Sequence, residues 1–217
     1  MESTLKRTWA EIDLDALAHN YQTLRRRTGT RFVGVVKADA YGHGSVQVSQ
    51  VLEELGADYL AVSSLDEAME LRAGGITMPI LILGHTPPER VEELLRYHIT
   101  QAVTCEAKAL EYSAEAVRCG GTLKVHIKVD TGMARLGFLC GGDHFETGVA
   151  GICAACTLPG LEAEGIFTHF AVSDEADAES DAYTRGQFDL FCRVIGAVEQ
   201  RLGWRFPLRR TDRLRLP

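Results

Sequence analysis

The chain has 217 residues, of which 46% are apolar, so it is long enough to bury the core of one large domain. Its 30 acidic and 23 basic residues give a net charge of −7, a balance that disfavours a nucleic-acid-binding surface. The first eight residues contain no apolar stretch typical of a secretory signal, and no apolar run is long enough to span a membrane, so we expect a cytoplasmic protein.

Short β-branched runs alternate with amphipathic helical stretches in the first half of the chain. Four of these runs are predicted to be strands: residues 32–36, 59–63, 79–83 and 101–104. Three helical stretches begin with capping signals: Asp13 or Asp15 for the first, a capping box of Ser64 and Glu67 for another, and Thr86 for the helix before the fourth strand. Residues 1–31 are therefore a lead-in to a series of β-α units.

The second half of the chain continues this alternation. Strands are predicted at residues 123–130 and 162–170, a long helix follows, and residues 204–208 begin a seventh strand. Strict alternation implies parallel strands, which fits either a doubly wound open sheet or a (β/α)8 barrel. No G-x-G-x-x-G turn, the usual mark of a nucleotide-binding open sheet, follows the first strand. We therefore expect an α/β fold, a (β/α)8 TIM-type barrel truncated after about six units.

The chain contains six cysteines: Cys105, Cys119, Cys140, Cys153, Cys156 and Cys192. Two of them, Cys153 and Cys156, have the C-x-x-C spacing of a redox pair or of half a zinc site. No second C-x-x-C and no spaced histidine pair accompany them, and the small residues around them favour a helix face. We therefore expect reduced, mostly buried thiols and no metal site.

Polar residues follow three of the predicted strands. Lys37 comes directly after the first strand, Arg135 lies in the glycine-rich segment after the fifth, and His169 lies at the end of the sixth. Each residue alone is more typical of a solvated, ion-paired or structural group than of a functional one. In a parallel barrel, however, all three lie on the C-terminal face, where barrel active sites are built. Their convergence predicts a site on that face.

The segments around these residues are long enough to identify a family. Residues 36–44 (VKADAYGHG) resemble the cofactor-lysine signature of alanine racemases. Residues 128–137 (KVDTGMARLG) and 165–171 (GIFTHFA) resemble two further signatures of that family, and residues 8–13 (TWAEID) resemble its start. The chain is thus similar, over nearly its whole length, to the N-terminal barrel of the alanine racemases, which are fold-type III enzymes dependent on pyridoxal phosphate.

The resemblance implies a role for each matching residue. Lys37 is the catalytic lysine that forms the aldimine with pyridoxal phosphate and acts as acid and base on one face of the substrate. Tyr41 contacts the cofactor phosphate, and His169 lies near the pyridine ring. Arg135 binds the phenolic oxygen of the cofactor and the substrate carboxylate, as a guanidinium can. Lys128 matches a lysine that some members carry as a carbamate.

The resemblance also implies a function and its alternatives. It implies a homodimeric isomerase that interconverts L- and D-alanine for peptidoglycan, with a small amino acid as substrate and neither nucleic acid nor membrane as a partner. Serine racemases share the motifs, and a non-catalytic protein of the pyridoxal-phosphate homeostasis type is a further alternative. We expect residues 32–208 to form an incomplete cofactor-binding barrel, residues 209–217 an atypical tail, and the family's second, β-rich domain to be absent. Such a fragment would have impaired activity.

Overall fold

The computed structural model describes residues 8–211 of the chain. Residues 1–7 and 212–217, on which the expectations about a secretory signal and an atypical tail largely fall, lie outside the described residues. The strands are Val33–Val35 (β1), Tyr59–Val62 (β2), Ile80–Ile82 (β3), Ile99–Val103 (β4), Leu123–Asp130 (β5), Phe138–Leu139 (β6), Leu161–Phe167 (β7) and Leu208–Arg210 (β8).

Helical segments connect these strands. They are Leu14–Thr28 (α1), Lys37–Gly42 (α2), Ser45–Glu54 (α3), Leu65–Ala73 (α4), Val91–Arg96 (α5), Glu106–Arg118 (α6), Phe145–Cys156 (α7) and Ala178–Leu202 (α8). Short 3₁₀ turns, Pro88–Arg90 and Gly142–His144, precede α5 and α7. Within residues 8–211, no helix is both long enough and apolar enough to cross a membrane.

The strands form one parallel sheet in the order β1-β2-β3-β4-β5-β7-β8, and the two-residue strand β6 pairs with the end of β5. A doubly wound sheet reverses its strand order at a switch point. Here the order follows the chain from one edge to the other, as it does in a barrel. The predicted α/β, TIM-type fold is confirmed, with seven parallel strands forming part of a barrel wall.

The central strands of the sheet are buried on both faces. Leu60, Val62 and Ile80 pack towards the helices in the main core, whereas the alternate residues Tyr59 and Leu81 join a smaller cluster on the other face. Every residue of β2 and β3 is buried, which explains why these strands read as continuous apolar runs rather than as alternating ones. The helices therefore cover one face of the sheet, and the other face lines the inside of the partial barrel.

The capping signals identify two helix starts correctly and a third wrongly. The Asp13 carboxylate accepts a hydrogen bond from the Ala16 N–H at 2.9 Å, and the Ser64 hydroxyl accepts from the Glu67 N–H at 3.3 Å. The prediction that Thr86 caps a helix is wrong. Its buried hydroxyl donates to Gln101 Oε1 at 2.7 Å, and the helix begins after a 3₁₀ turn instead.

Other differences concern the ends of elements. The seventh strand of the sheet, β8, begins at Leu208 rather than at residue 204. Arg209 lies in this strand, where its guanidinium pairs with Glu199 of α8 at 2.7 Å. The first two residues of the expected tail, 209 and 210, are therefore part of the sheet. Two-residue β6 has no sequence pattern that would predict it.

The C-x-x-C pair lies on one helix, α7. Burial raises the pKa of Cys156 to about 12, and it also raises the pKa of Cys153. Since the thiolate is the reactive form of cysteine, these raised pKa values favour inert thiols over a redox pair. The six cysteines are all unpaired. In the described part of the chain, no cluster of three or more His, Cys, Asp or Glu residues could hold a metal ion.

Candidate active site at the carboxyl ends of the strands

Lys37 lies two residues beyond β1, at the carboxyl edge of the parallel sheet. Its side chain is half-buried, and its Nζ lies 5.9 Å from the centroid of the Tyr41 ring. Tyr41 itself is 62% exposed, with its ring open to a ligand. Within residues 8–211, the Lys37 ammonium group makes no hydrogen bond and no ion pair. The sequence motif thus places an amine close to an exposed phenol.

The backbone that follows Lys37 has an uncommon conformation. Four consecutive residues, Ala38 to Tyr41, have φ between 52° and 56° and ψ between 35° and 50°. These angles are those of a left-handed helical turn, which costs L-residues about 1–2 kcal/mol each. None of the four residues is glycine. Such strain persists only where surrounding contacts hold it, and it concentrates at functional sites.

Two carboxylates hold this left-handed turn in place. Glu67, at the start of α4, accepts hydrogen bonds from the Ala38 N–H at 2.8 Å and from the Ser63 N–H at 2.6 Å. Asp39, inside the turn, accepts from the Ser45 N–H of α3 at 2.7 Å. The turn is thereby tied to the first turns of two different helices, and the direction in which Lys37 leaves the strand is fixed by both.

Arg135 lies in the loop between β5 and β6, which folds back tightly on the strand. The Asp130 carboxylate accepts hydrogen bonds from the N–H groups of Gly132 and Ala134 at 2.9 and 3.1 Å. At Gly137 the loop returns with φ +128°, and a Cβ there would lie 2.7 to 2.9 Å from backbone atoms of β5. Only glycine fits this position. The exposed Arg135 guanidinium pairs with no carboxylate among the residues that the structure describes.

Lys128 lies on β5, and His169 follows β7, which pairs with β5. Lys128 is 8% exposed, its Nζ donates to the Val129 carbonyl at 2.9 Å, and it lies 5.6 Å from the centre of the Phe167 ring. His169 is half-buried two residues beyond β7, between the buried residues Thr168 and Phe170. Lys128 thus lies in the carboxyl half of β5, Lys37 and His169 lie two residues beyond β1 and β7, and Tyr41 and Arg135 lie in the segments that follow β1 and β5.

Helix α8 supports two of these segments through residues that the sequence analysis did not single out. The Tyr183 hydroxyl donates to the Gly132 carbonyl at 2.8 Å, and a Cβ at Gly132 would lie 2.6 Å from that hydroxyl. Gln187 Oε1 accepts from the Ala171 N–H at 3.0 Å. A usable signal exists for Gln187, because it stands four residues before Phe191 on the buried face of the helix, where an apolar side chain is expected.

The amino ends of the strands carry a different polar cluster. Glu164 of β7 accepts from the Tyr59 hydroxyl at 2.5 Å and from Lys124 at 2.9 Å, and it lies 3.2 Å from the Thr100 hydroxyl and 3.5 Å from His126 Nε2. Burial by itself would raise the pKa of Glu164, but the hydrogen bonds from His126, Tyr59 and Lys124 outweigh it and lower the pKa to about 2. This cluster joins β2, β4, β5 and β7 through side-chain hydrogen bonds.

A family model described as alanine racemase, N-terminal domain, matches residues 12–210 of this chain. The chain belongs to the alanine racemase family. The alanine racemase of Desulfosudis oleivorans is 46% identical over 197 residues, which is 88% of this chain and 50% of that protein. The alanine racemase of Clostridium tetani is 44% identical over 198 residues, or 91% of this chain and 49% of that one.

Solved structures of alanine racemases share the fold. That of Clostridium difficile 630, in complex with cycloserine, has a TM-score of 0.86 and 36% identity, covering 96% of this chain and 56% of that chain. That of Bacillus anthracis, with bound L-Ala-P, has a TM-score of 0.82 and 32% identity, covering 97% and 53%. The family predicted from the motifs is confirmed, and the chain spans about half the length of the relatives it matches.

Proposed function

We propose that this chain is the cofactor-binding part of an alanine racemase, in which Lys37 carries pyridoxal phosphate and L- and D-alanine are interconverted. The observation that carries the proposal is the placement of Lys37. Its amine has no ion-pair partner in the described residues, and a strained turn held by two carboxylates fixes its backbone at the carboxyl edge of the sheet. Supporting it, the curated relatives named alanine racemase are 42–46% identical to the chain.

The residues present fit the cofactor's chemistry. Lys37 supplies an amine, and the exposed Tyr41 hydroxyl is available to a phosphate oxygen. The Arg135 guanidinium, unpaired within residues 8–211, suits an anionic oxygen of the cofactor or the carboxylate of an amino acid. The half-buried His169 ring offers a flat surface for a pyridine ring. Among the described residues, Lys37 and Arg135 have no carboxylate partner, and two such cations on one edge of the sheet favour an anionic ligand over a neutral one.

Each residue then has a distinct task in the proposed reaction. When bound, pyridoxal phosphate supplies an electron sink that allows the α-proton of the amino acid to leave. Lys37 takes or returns that proton on one face, a task for which an amine needs to be held within hydrogen-bonding reach. Arg135 holds the substrate carboxylate and so fixes which bond points at Lys37. Lys128, buried beside the same strand end, is the candidate for carbamylation.

Further parts of the proposal concern the whole protein. We propose a homodimer that works in the cytoplasm and supplies D-alanine for peptidoglycan. Membership of the alanine racemase family supports these assignments. We propose a small amino acid as the substrate. We propose alanine rather than serine, because the relatives are named alanine racemase.

Borohydride trapping tests the central assignment. The purified chain is incubated with pyridoxal phosphate, reduced with borohydride and mapped by mass spectrometry. We expect the label on Lys37, its loss in Lys37→Ala, and its retention in Lys108→Ala, whose amine is already paired with Glu111 at 2.5 Å on α6. A label on Lys124 or Lys128 with Lys37 unmodified would overturn the proposal.

A further inference from the structure

A buried row of hydrogen-bonded side chains joins the loop that carries Arg135 to the segment that carries His169. The row consists of Gln187 on α8, Thr131 directly after β5 and Thr168 directly after β7, which are 2%, 5% and 1% exposed. We call it the Thr131–Thr168–Gln187 network. Gln187 Nε2 lies 3.4 Å from Thr131 Oγ1, and the two threonine hydroxyls lie 2.8 Å apart.

The direction of every hydrogen bond in this network follows from its ends. At one end, the Thr168 hydroxyl donates its only proton to the Val129 carbonyl at 2.9 Å, so Thr131 must be the donor between the two threonines. At the other end, the Ala171 N–H can only donate, so it faces the amide oxygen of Gln187. The amide nitrogen is then left to donate to Thr131. The donor and the acceptor of each of these hydrogen bonds are therefore fixed, and reversing any one of them would break another.

We propose that Thr131, Thr168 and Gln187 are positioning residues, which set the placement of Arg135 relative to His169 and thereby the affinity for pyridoxal phosphate. Their action is indirect, through the two segments that they join. With respect to the ligand, this inference rests on the proposed function. Because the hydroxyl of Thr131 bonds on both sides, its removal breaks the link between the two segments at its centre.

Thr100 provides a control for a merely structural role. It is also buried, at 3% exposure, and its hydroxyl lies 2.5 Å from the Tyr59 hydroxyl and 3.2 Å from Glu164. It differs in location, since it lies near the amino end of β4, at the opposite edge of the sheet. A buried threonine with two hydrogen-bonding neighbours can therefore be altered far from the candidate active site.

The experiment compares Thr131→Val, which keeps the shape and loses the hydroxyl, with Thr131→Ser, which keeps the hydroxyl, and with Thr100→Val. Amide hydrogen exchange is measured on the chain without cofactor, and the dissociation constant of pyridoxal phosphate is measured by absorbance titration. We expect Thr131→Val, which loses two hydrogen bonds, to accelerate exchange at both Gly132 and Ala171. We expect it to weaken cofactor binding about fivefold to tenfold, because the effect on the ligand is indirect and corresponds to one of these bonds. Thr131→Ser should stay within about twofold of wild type.

The control and the exchange data make each outcome decisive. Thr100→Val should lower the thermal midpoint while leaving exchange at Gly132 and Ala171, and cofactor binding, unchanged. Equal exchange in Thr131→Val and Thr131→Ser, or an equal loss of affinity in Thr100→Val, would overturn the inference. If the wild-type chain fails to take pyridoxal phosphate on Lys37, the proposed function fails by itself. Exchange at the two segments still decides whether the network couples them.

Discussion

The two ends of the parallel strands treat their charged side chains in opposite ways. At the amino ends, Glu164 is surrounded by donors, and Lys124 forms an ion pair with it. At the carboxyl ends, the Lys37 and Arg135 cations pair with no carboxylate in the described part of the chain. A carboxylate that is paired and hydrogen-bonded stabilises the fold, whereas cations without a carboxylate partner at the edge of a sheet are available to an anionic ligand. The division matches the general one between the stability face and the active face of barrel enzymes.

The backbone shows the same contrast. At the carboxyl edge, four successive residues from Ala38 adopt left-handed angles, and Ala134 in the Arg135 loop also has a positive φ of 57°. At the amino edge, one described non-glycine residue has a positive φ, His98 at 51°, directly before β4, and the register shifts once between Val125 and His126. Strain is thus concentrated where binding is proposed, and the contacts that hold it come from neighbouring helices.

The largest effect on stability should come from the carboxyl edge, at Gly137. Gly137→Ala places a Cβ within 2.9 Å of three backbone atoms and requires a non-glycine residue at φ +128°, so we expect a loss of about 3–4 kcal/mol in the free energy of unfolding. Gly141→Ala is the matched control, because nothing lies within 4 Å of its Cβ position and its φ is −77°. Urea unfolding measures both, and equal stabilities would show that the loop is not held as described.

At the amino edge, Glu164 should make stability depend on pH. Its pKa is lowered to about 2 from an ordinary 4.5, so its contribution is fully present above about pH 4.5 and is lost as the pH falls towards 2. We expect Glu164→Gln to cost about 2–3 kcal/mol at pH 7 and little near pH 2. The variant's stability should therefore change less than that of wild type across this range.

Two measurements sharpen the comparison between the edges. Glu162→Gln, on the same strand but exposed, should leave the pH dependence of unfolding unchanged. Borohydride trapping of pyridoxal phosphate on Lys37 should proceed in Glu164→Gln as in wild type at pH 7, provided the variant is folded. A selective loss of Lys37 labelling in the folded variant would mean that the two edges of the sheet are coupled and do not act independently.

The sequence predicts the architecture and the edge of the sheet on which the candidate site lies. It does not predict the backbone conformation and the long-range hydrogen bonds that hold this edge in place. Apolar runs and helix caps are local signals, and their alternation predicts parallel strands whose carboxyl ends, followed by Lys37 and His169, share one edge. The strand order of a barrel, rather than that of a doubly wound sheet, follows only when the missing G-x-G-x-x-G turn and the family motifs are also considered. The left-handed turn could not be predicted, because four non-glycine residues have no local preference for it. Thr86 was misassigned for a related reason, since its hydroxyl bonds to Gln101, fifteen residues away. Long-range hydrogen bonds leave no local pattern.

Glu67 takes part both in a local capping motif and in a long-range hydrogen bond. Its sequence position predicts a helix cap, and the Ser64 hydroxyl does accept from its N–H. Its carboxylate, however, bonds to the N–H groups of Ser63 and Ala38, and so it joins α4 to the residue next to Lys37. A local capping motif thereby supports the proposed cofactor lysine, although the two are thirty residues apart in the chain.

The smallest effect on stability should come from Glu67→Gln, which should also slow the attachment of pyridoxal phosphate to Lys37. The amide has one carbonyl oxygen, so it can accept from only one of the two N–H groups and presents its own N–H₂ to the other. We expect a loss of about 1 kcal/mol, because both bonds are partly solvated, and a rate of covalent attachment at Lys37 that is about fivefold lower. Glu70→Gln, exposed on the same helix, should change neither quantity. An unchanged rate of attachment in Glu67→Gln, measured at a temperature where both proteins are fully folded, would show that the left-handed turn holds Lys37 without this carboxylate.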